Sequence, residues 1–399
     1  MAHFKYLIVG GGVTADAAAR GIRDVDPDGA IGIVSAETDP PYDRPRLSKG
    51  LWTGDPPAEI RSGMETRGVT FHLGRTVTAV APWNKCVVDD RRTVYSFDKL
   101  LLATGGAPRR LPTANDRVIH LRNLNDYRRL AATLGEGRRY AVVGGGFIGS
   151  EIAAALAMNG KEVVIVFPGD GICSHIVPRD LSLFLNDYYR QKGVEVLAGE
   201  TFHEAATRGG RLVLSTRNVK TFASREVPVD GIVAGIGILP NVALAREAKL
   251  GVGNGILVDD RLRTNSPDIY AAGDAANFYS PPLGLRIRVE HEDNARAMGC
   301  LAGRGMAGCP EMYRYLPSFS SRLFDLGYEA VGEVDTRLRT IADWEEPYRK
   351  GVVYYMRGGR VRGVLLWNVR NQVDSARRII AEPGPFRPLD LAGRLRETS

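Results

Sequence analysis

Tyr6-Leu7-Ile8-Val9-Gly10-Gly11-Gly12-Val13-Thr14-Ala15 decides the fold. A hydrophobic run ends in glycines and gives way at once to small residues, which reads as a buried strand turning sharply into a helix. Glycine at such a turn lets the backbone approach a pyrophosphate. The helix N-terminus adds N–H donors and the positive end of a dipole. The pattern recurs at Tyr140-Ala141-Val142-Val143-Gly144-Gly145-Gly146-Phe147-Ile148-Gly149. One such turn predicts a dinucleotide site. Two predict two dinucleotides, and two held by one chain predict electrons passing between them.

Around the first turn, a strand at 6–9 leads to an alanine-rich helix at 15–23 and a strand at 30–34. Glu37 follows, about twenty residues past the glycines, where a ribose-binding carboxylate is expected. The loop Asp39-Pro40-Pro41-Tyr42-Asp43-Arg44-Pro45-Arg46-Leu47-Ser48-Lys49 is stiffened by its prolines, which fixes Arg44 and Lys49 in place. Alternation over 69–102 predicts strands ending in Ala103-Thr104-Gly105-Gly106, small residues that offer bare backbone to a ligand.

The second turn starts a second unit, with a helix at 151–159, a strand at 162–167 and a further βα-like stretch at 181–196. Asp230 to Gly237 closes it much as Ala103 to Gly106 closes the first, so the architecture repeats. Ile269-Tyr270-Ala271-Ala272-Gly273-Asp274 is another strand ending in small residues and an acid, and a helix begins near Glu290. From about Tyr328 the pattern changes to strands at 352–356 and 361–366 and a helix at 373–381. The expected fold class is α/β, with two Rossmann-like dinucleotide-binding domains and a C-terminal α+β domain. The expected bounds are 1–112 with 249–327, then 113–248, then 328–399.

The chain has 399 residues, 44% hydrophobic and 25% charged, enough for several globular domains. No apolar run approaches a membrane span. Residues 1–5 lead straight into the first strand and leave no room for a signal peptide, so a cytoplasmic location is expected. Cys86, Cys173, Cys300 and Cys309 form no C-x-x-C pair, which speaks against a disulfide framework or a metal site. The net charge of +7 serves either solubility or an acidic partner such as a small electron-carrier protein. Nucleic acid is disfavoured, because Arg109-Arg110, Arg128-Arg129 and Arg138-Arg139 are only doublets.

Taken together, these residues resemble the FAD-dependent pyridine-nucleotide reductases, from the first strand to about residue 382. The loop Pro41–Lys49 resembles that of oxygenase-type ferredoxin reductases and apoptosis-inducing-factor-like proteins. Val166-Phe167-Pro168 and Gly363-Val364-Leu365-Leu366-Trp367-Asn368-Val369-Arg370-Asn371 are similar to the latter branch. The resemblance implies a glutathione-reductase-like architecture with FAD along the first unit. Gly10, Gly12 and Ala15 would face its pyrophosphate and Glu37 its ribose. Arg44, Lys49, Val80, Ala103, Thr104, Gly105 and Arg109 would line the rest, and Asp274 would meet the ribityl chain or pyrophosphate. Glu290 and His291 would open a helix aimed at the flavin pyrimidine. NAD(P)H would lie on Gly144, Gly146, Phe147, Ile148, Gly149 and Gly237. NADH is favoured, because no arginine follows the 162–167 strand before Arg179.

The resemblance also supplies catalytic candidates. In related proteins the positions of Lys49 and Glu151 meet beside flavin N5, where a paired charge steadies the reduced ring and orients the nicotinamide. The alternatives are an ion pair that only fixes the loop, or a glutamate favoured by the helix dipole. His291 is either a proton donor or a structural histidine. Phe147 either gates the nicotinamide pocket or packs in the core. Two positions depart from the family pattern. Glu292 and Ser320 stand where relatives often carry aromatic residues, which is expected to open the flavin face and make it more polar. The Arg44–Lys49 loop has no cysteine, so disulfide reduction and cysteine peroxidase chemistry are disfavoured. Electrons then leave to an external acceptor, with a ferredoxin-type iron–sulfur protein ranked first. The competing readings are an NADH oxidase or quinone reductase, and a slow redox-sensing protein like apoptosis-inducing factor. A C-terminal domain of this kind commonly lies against the flavin or a second subunit, so a homodimer is compatible.

Overall fold

A computed structural model describes residues 2–52, 54 and 68–396; the terminal bounds 1 and 399 of the expected domains lie outside them. The chain divides into two units. The first gathers Met1–Arg44, Pro56–Ala107 and Leu239–Ser318. The second gathers Pro45–Asp55, Pro108–Ile238 and Phe319–Ser399.

In the first unit, strands Val69–Leu73, Ile31–Ser35, Ala2–Val9 and Val94–Leu102 lie side by side in that order, all parallel. Ile269–Ala271 adds a further parallel strand beside Leu100–Leu102, and Cys86–Asp89 and Val77–Ala81 extend the sheet antiparallel. Leu7, Ile8, Ile33, Leu100, Leu101 and Ala271 are fully buried. This is why these strands read as unbroken apolar runs: both faces of a parallel sheet are covered. Each of the buried leucines and isoleucines among them contributes roughly 1.5–3 kcal/mol by leaving water.

One cover is a pair of helices, Val13–Arg23 and Glu292–Met306. A Cβ at Gly299 would sit 2.4 Å from Thr14 O, one at Gly303 2.1 Å from Ala18 O, and one at Gly21 2.2 Å from Cys300 O. Only glycine permits that seam. Residues 299 and 303 match 14 and 18, so the helices run parallel and their N-termini point the same way. Glu292 precedes Gly299 by seven residues, so the second helix starts about 10 Å beyond Thr14. It begins at Glu292, near the expected Glu290, with His291 as N-cap.

In the second unit, Val194–Ala198, Glu162–Phe167, Arg139–Val143, Gly231–Ala234 and Val118–His120 form a parallel sheet in that order. The helices Phe147–Met158 and Arg179–Gln191 connect its strands. A meander, Glu200–Arg208, Arg211–Asn218 and Ser224–Val229, is inserted before the closing strand. The C-terminal part is a five-stranded sheet beginning at Ser318–Leu323, with Lys350–Arg357 and Arg360–Trp367 as an antiparallel pair. The helix Val373–Ala381 packs on it.

Candidate functional site

The first glycine turn is a backbone crossing. Gly10 has φ +120°, and a Cβ there would sit 2.1 Å from Ala103 O. Its amide donates to Val34 O at 2.9 Å, while Ala103 N donates to Val9 O at 2.8 Å. Gly12 is the N-cap of Val13–Arg23 and supplies no side-chain cap. A Cβ on Gly12 would meet nothing nearer than Arg44 Nη2 at 3.8 Å. A helix N-terminus, bare backbone and a guanidinium over it together fit a pyrophosphate. Ala15, the third position of the motif, is buried.

Glu37 stands just past Ile31–Ser35. Arg44 Nη2 donates to its Oε1 at 2.7 Å and Tyr42 Oη to its Oε2 at 2.6 Å. Arg44 Nη1 also reaches Tyr42 Oη at 3.2 Å, and its guanidinium lies 5.1 Å from the Tyr42 ring centroid. The rigid loop therefore orients the carboxylate. Gly273, at φ +74°, would place a Cβ 2.3 Å from Thr14 Oγ1, so Asp274 arrives beside the same helix start. Thr104 and Asn241 exchange hydrogen bonds, Thr104 Oγ1 to Asn241 O at 2.7 Å and Asn241 Nδ2 to Thr104 O at 2.8 Å. Asn241 N also donates to Gly105 O. Val80 lies on Val77–Ala81 in the apolar core. Glu290 pairs with Arg288 at 2.7 Å. Burial, then the Asp43 carboxyl, pushes Glu292 above the usual carboxylate range, against the pull of Arg296.

The second turn repeats the crossing. Gly144 has φ +121°, with Gly235 O 2.3 Å from the Cβ position, and Gly149 would place its Cβ 1.9 Å from Gly144 O. Gly146 caps Phe147–Met158 without a side chain. The nearest atom to a Cβ on Gly146 is His175 Cε1 at 3.6 Å. Burial holds the His175 imidazole below its usual range, toward the neutral form. Phe147 packs edge-on against His175 and Phe319, with ring centroids 5.4 and 5.0 Å away. This second cradle also fits a pyrophosphate. Arg109 belongs to this unit, where its amide donates to Gly237 O at 2.9 Å.

One helical turn into Phe147–Met158, Glu151 is buried. Ser48 Oγ donates to its Oε2 and Ser321 Oγ to its Oε1, both at 2.6 Å. Lys49 Nζ stands 3.3 Å from Oε1 and donates to Ser320 O at 2.8 Å. The pairing of Lys49 with Glu151 is therefore present. The two serines that clamp the carboxylate, like Tyr42, His175 and Asn241, are partners the sequence reading did not assign. Behind Glu151, burial pushes the Cys173 thiol up to about 12, so it is inert.

The model of the pyridine nucleotide-disulphide oxidoreductases matches residues 4–299. The chain belongs to that family. A second model, for the C-terminal part of the mitochondrion-associated apoptosis-inducing factor, matches residues 342–382. The family member is 33% identical to apoptosis-inducing factor 1 of Dictyostelium discoideum, over 94% of this chain and 78% of that protein. It is 31% identical to the ferredoxin–NAD(+) reductase component of the anthranilate 1,2-dioxygenase system of Burkholderia cepacia, over 97% and 96%. The crystal structure of a covalent putidaredoxin reductase–putidaredoxin complex superposes with a TM-score of 0.89 at 26% identity, covering 98% and 95%. This family member is an FAD-dependent NAD(P)H oxidoreductase. No described helix is long and apolar enough to cross a membrane.

Proposed function

We propose that this enzyme takes electrons from NADH and delivers them to a small acidic ferredoxin. The observation that carries the reading is the pair of uncapped glycine-turn helix starts, Gly12 in one unit and Gly146 in the other. FAD is assigned to the first and the nicotinamide nucleotide to the second. FAD held at the Gly12 turn would supply the exchange between a two-electron hydride donor held at the Gly146 turn and a one-electron iron–sulfur acceptor.

The chain's own residues bind and orient. Gly10, Gly12 and Arg44 hold the flavin nucleotide's pyrophosphate, and Glu37, oriented by Tyr42 and Arg44, takes the ribose hydroxyls. Gly144, Gly146 and Gly149 hold the pyrophosphate of NADH. Glu151, clamped by Ser48, Ser321 and Lys49, orients the nicotinamide end from the same helix. NADH is favoured over NADPH because no arginine follows the Glu162–Phe167 strand before Arg179. The ferredoxin is supported by the ferredoxin reductase role of the Burkholderia relative, by the putidaredoxin bound in the structural neighbour, and by the +7 charge of this chain. The four free thiols favour a reducing compartment, the cytoplasm.

Anaerobic NADH titration of the purified yellow protein, followed by a scan of acceptors, tests the proposal. Rapid bleaching by NADH and ferredoxin-dependent cytochrome c reduction are expected. Bleaching without transfer to any ferredoxin, but with rapid reoxidation by air or quinone, would reject the partner.

A further inference from the structure

The loop from Pro168 to His175 borders the second glycine turn and carries charges that the functions assigned above leave unused. It leaves its strand at Phe167, whose ring would lie 2.6 Å from a Cβ on Gly145. It comes back at Cys173, whose amide donates to Gly145 O at 2.7 Å. Asp170 stands midway between these two contacts, and two cations approach its carboxylate. Arg179 Nη2, from the first turn of Arg179–Gln191, lies 4.0 Å from Oδ2. Lys220 Nζ, from the hairpin between Arg211–Asn218 and Ser224–Val229, lies 3.7 Å from Oδ1. Asp170, Gly171, Ser174 and Arg179, with Thr336 and Thr340, line a cavity of about 390 Å³.

By position, Asp170 is the counterpart of Glu37. Each acid stands just past the second strand of its Rossmann-like unit, at nearly the same remove from its glycine turn. The adenosine ribose of a bound dinucleotide lies there, and its 2′ substituent is read there, a hydroxyl by a carboxylate and a phosphate by a cation. The two acids are held differently. Arg44 is 22% exposed and donates to Glu37 at 2.7 Å, so that cation is committed. Arg179 and Lys220 are each 78% exposed and stand beyond hydrogen-bond distance of Asp170. Surface pairs of this kind contribute little, so both cations can turn to a stronger anion. A 2′-phosphate is such an anion, matched by the guanidinium fork. The Asp170 carboxylate opposes it by like-charge repulsion.

We infer that Arg179 and Lys220 form a 2′-phosphate subsite that Asp170 masks, and that this one carboxylate keeps the enzyme on NADH. The inference rests on the reading that this unit carries the nicotinamide nucleotide. Arg179 comes well after the Glu162–Phe167 strand in sequence, yet the fold returns it to within 4.0 Å of Asp170. Preference for NADH is then held by repulsion of the competitor, not by the lack of a cation.

Steady-state kcat/KM of the holoenzyme for NADPH and for NADH, with ferricyanide as acceptor, tests it. D170N is expected to raise the NADPH-to-NADH ratio roughly ten- to hundredfold, the equivalent of one charge-assisted contact. Adding R179A and K220A to D170N is expected to remove that gain. An unchanged ratio in D170N would overturn the masking, and a gain that survives the loss of both cations would overturn the subsite. If D170N does not fold, D170S makes the same neutral change and is read in the same way. A wild-type enzyme whose flavin is reduced by neither nucleotide would overturn the assignment of the nucleotide to this unit, and the inference with it.

Discussion

Gly149→Ala is the sharpest probe of the nicotinamide cradle. The added Cβ would lie 1.9 Å from Gly144 O, and ordinary contact begins at 3.4 Å. The start of Phe147–Met158 must therefore separate from the turn by about 1.5 Å, a displacement comparable to the difference between a good hydrogen bond and none. Overpacking of this kind costs about 1–3 kcal/mol of stability. The amides aimed at the pyrophosphate would move with the helix. Loss of one charge-assisted bond, about 1.5–3 kcal/mol, weakens NADH binding roughly ten- to hundredfold. FAD should stay bound, because its assigned cradle belongs to the other unit. Steady-state NADH kinetics beside the flavin absorbance of the purified variant would read both effects. A variant with wild-type KM for NADH and unchanged Tm would refute the close approach on which the reasoning depends.

Other perturbations separate the remaining parts. Gly10→Ala combines a forbidden contact with φ +120°, so the protein should purify colourless or unfolded, as its visible spectrum would show. Glu37→Ala strands Tyr42 and Arg44, and FAD should dissociate roughly ten- to hundredfold more readily, measured as free flavin fluorescence in an ultrafiltrate. Lys49→Met removes the cation from the Glu151 cluster; the rate of NADH-driven bleaching in stopped flow should fall roughly a hundredfold, and an unchanged rate would reduce the pair to a loop clamp. Burial pushes the Cys173 thiol up from 9.0 to about 12 in the folded protein. The folded form holds its proton more tightly, so this group's contribution to stability is complete below pH 9 and fades as pH rises toward 12. At pH 8 a thiol reagent should find Cys173 only after denaturant is added.

The α/β class was legible because two different signals coincided twice: an apolar run for a strand buried on both faces, then small residues at helical spacing. The exact helix starts were less so. Phe147–Met158 begins four residues ahead of the expected 151, because its N-cap is a glycine that carries no capping side chain to read. The meander Glu200–Val229 left no mark strong enough to interrupt the βα rhythm. At the site, residues inside one short motif could be named together. Partners far apart in the chain could not: Ser48 and Ser321 reach Glu151 across 103 and 170 positions, and a lone serine carries no periodicity. Glu292 stood out only as a departure from a family pattern.

The seam between Val13–Arg23 and Glu292–Met306 also constrains how the protein comes into being. The first glycine turn leaves the ribosome almost at once, yet the helix that must lie against it within hard-contact distance arrives some 280 residues later. Until then Gly21 and Ala18 face water, and the strand Ile269–Ala271 is missing from its place beside Leu100–Leu102. Closing so long a loop is slow relative to local folding. The cradle for the first dinucleotide is thus assembled late in synthesis. A nascent chain stalled before residue 292 should retain no flavin, however complete its glycine motif.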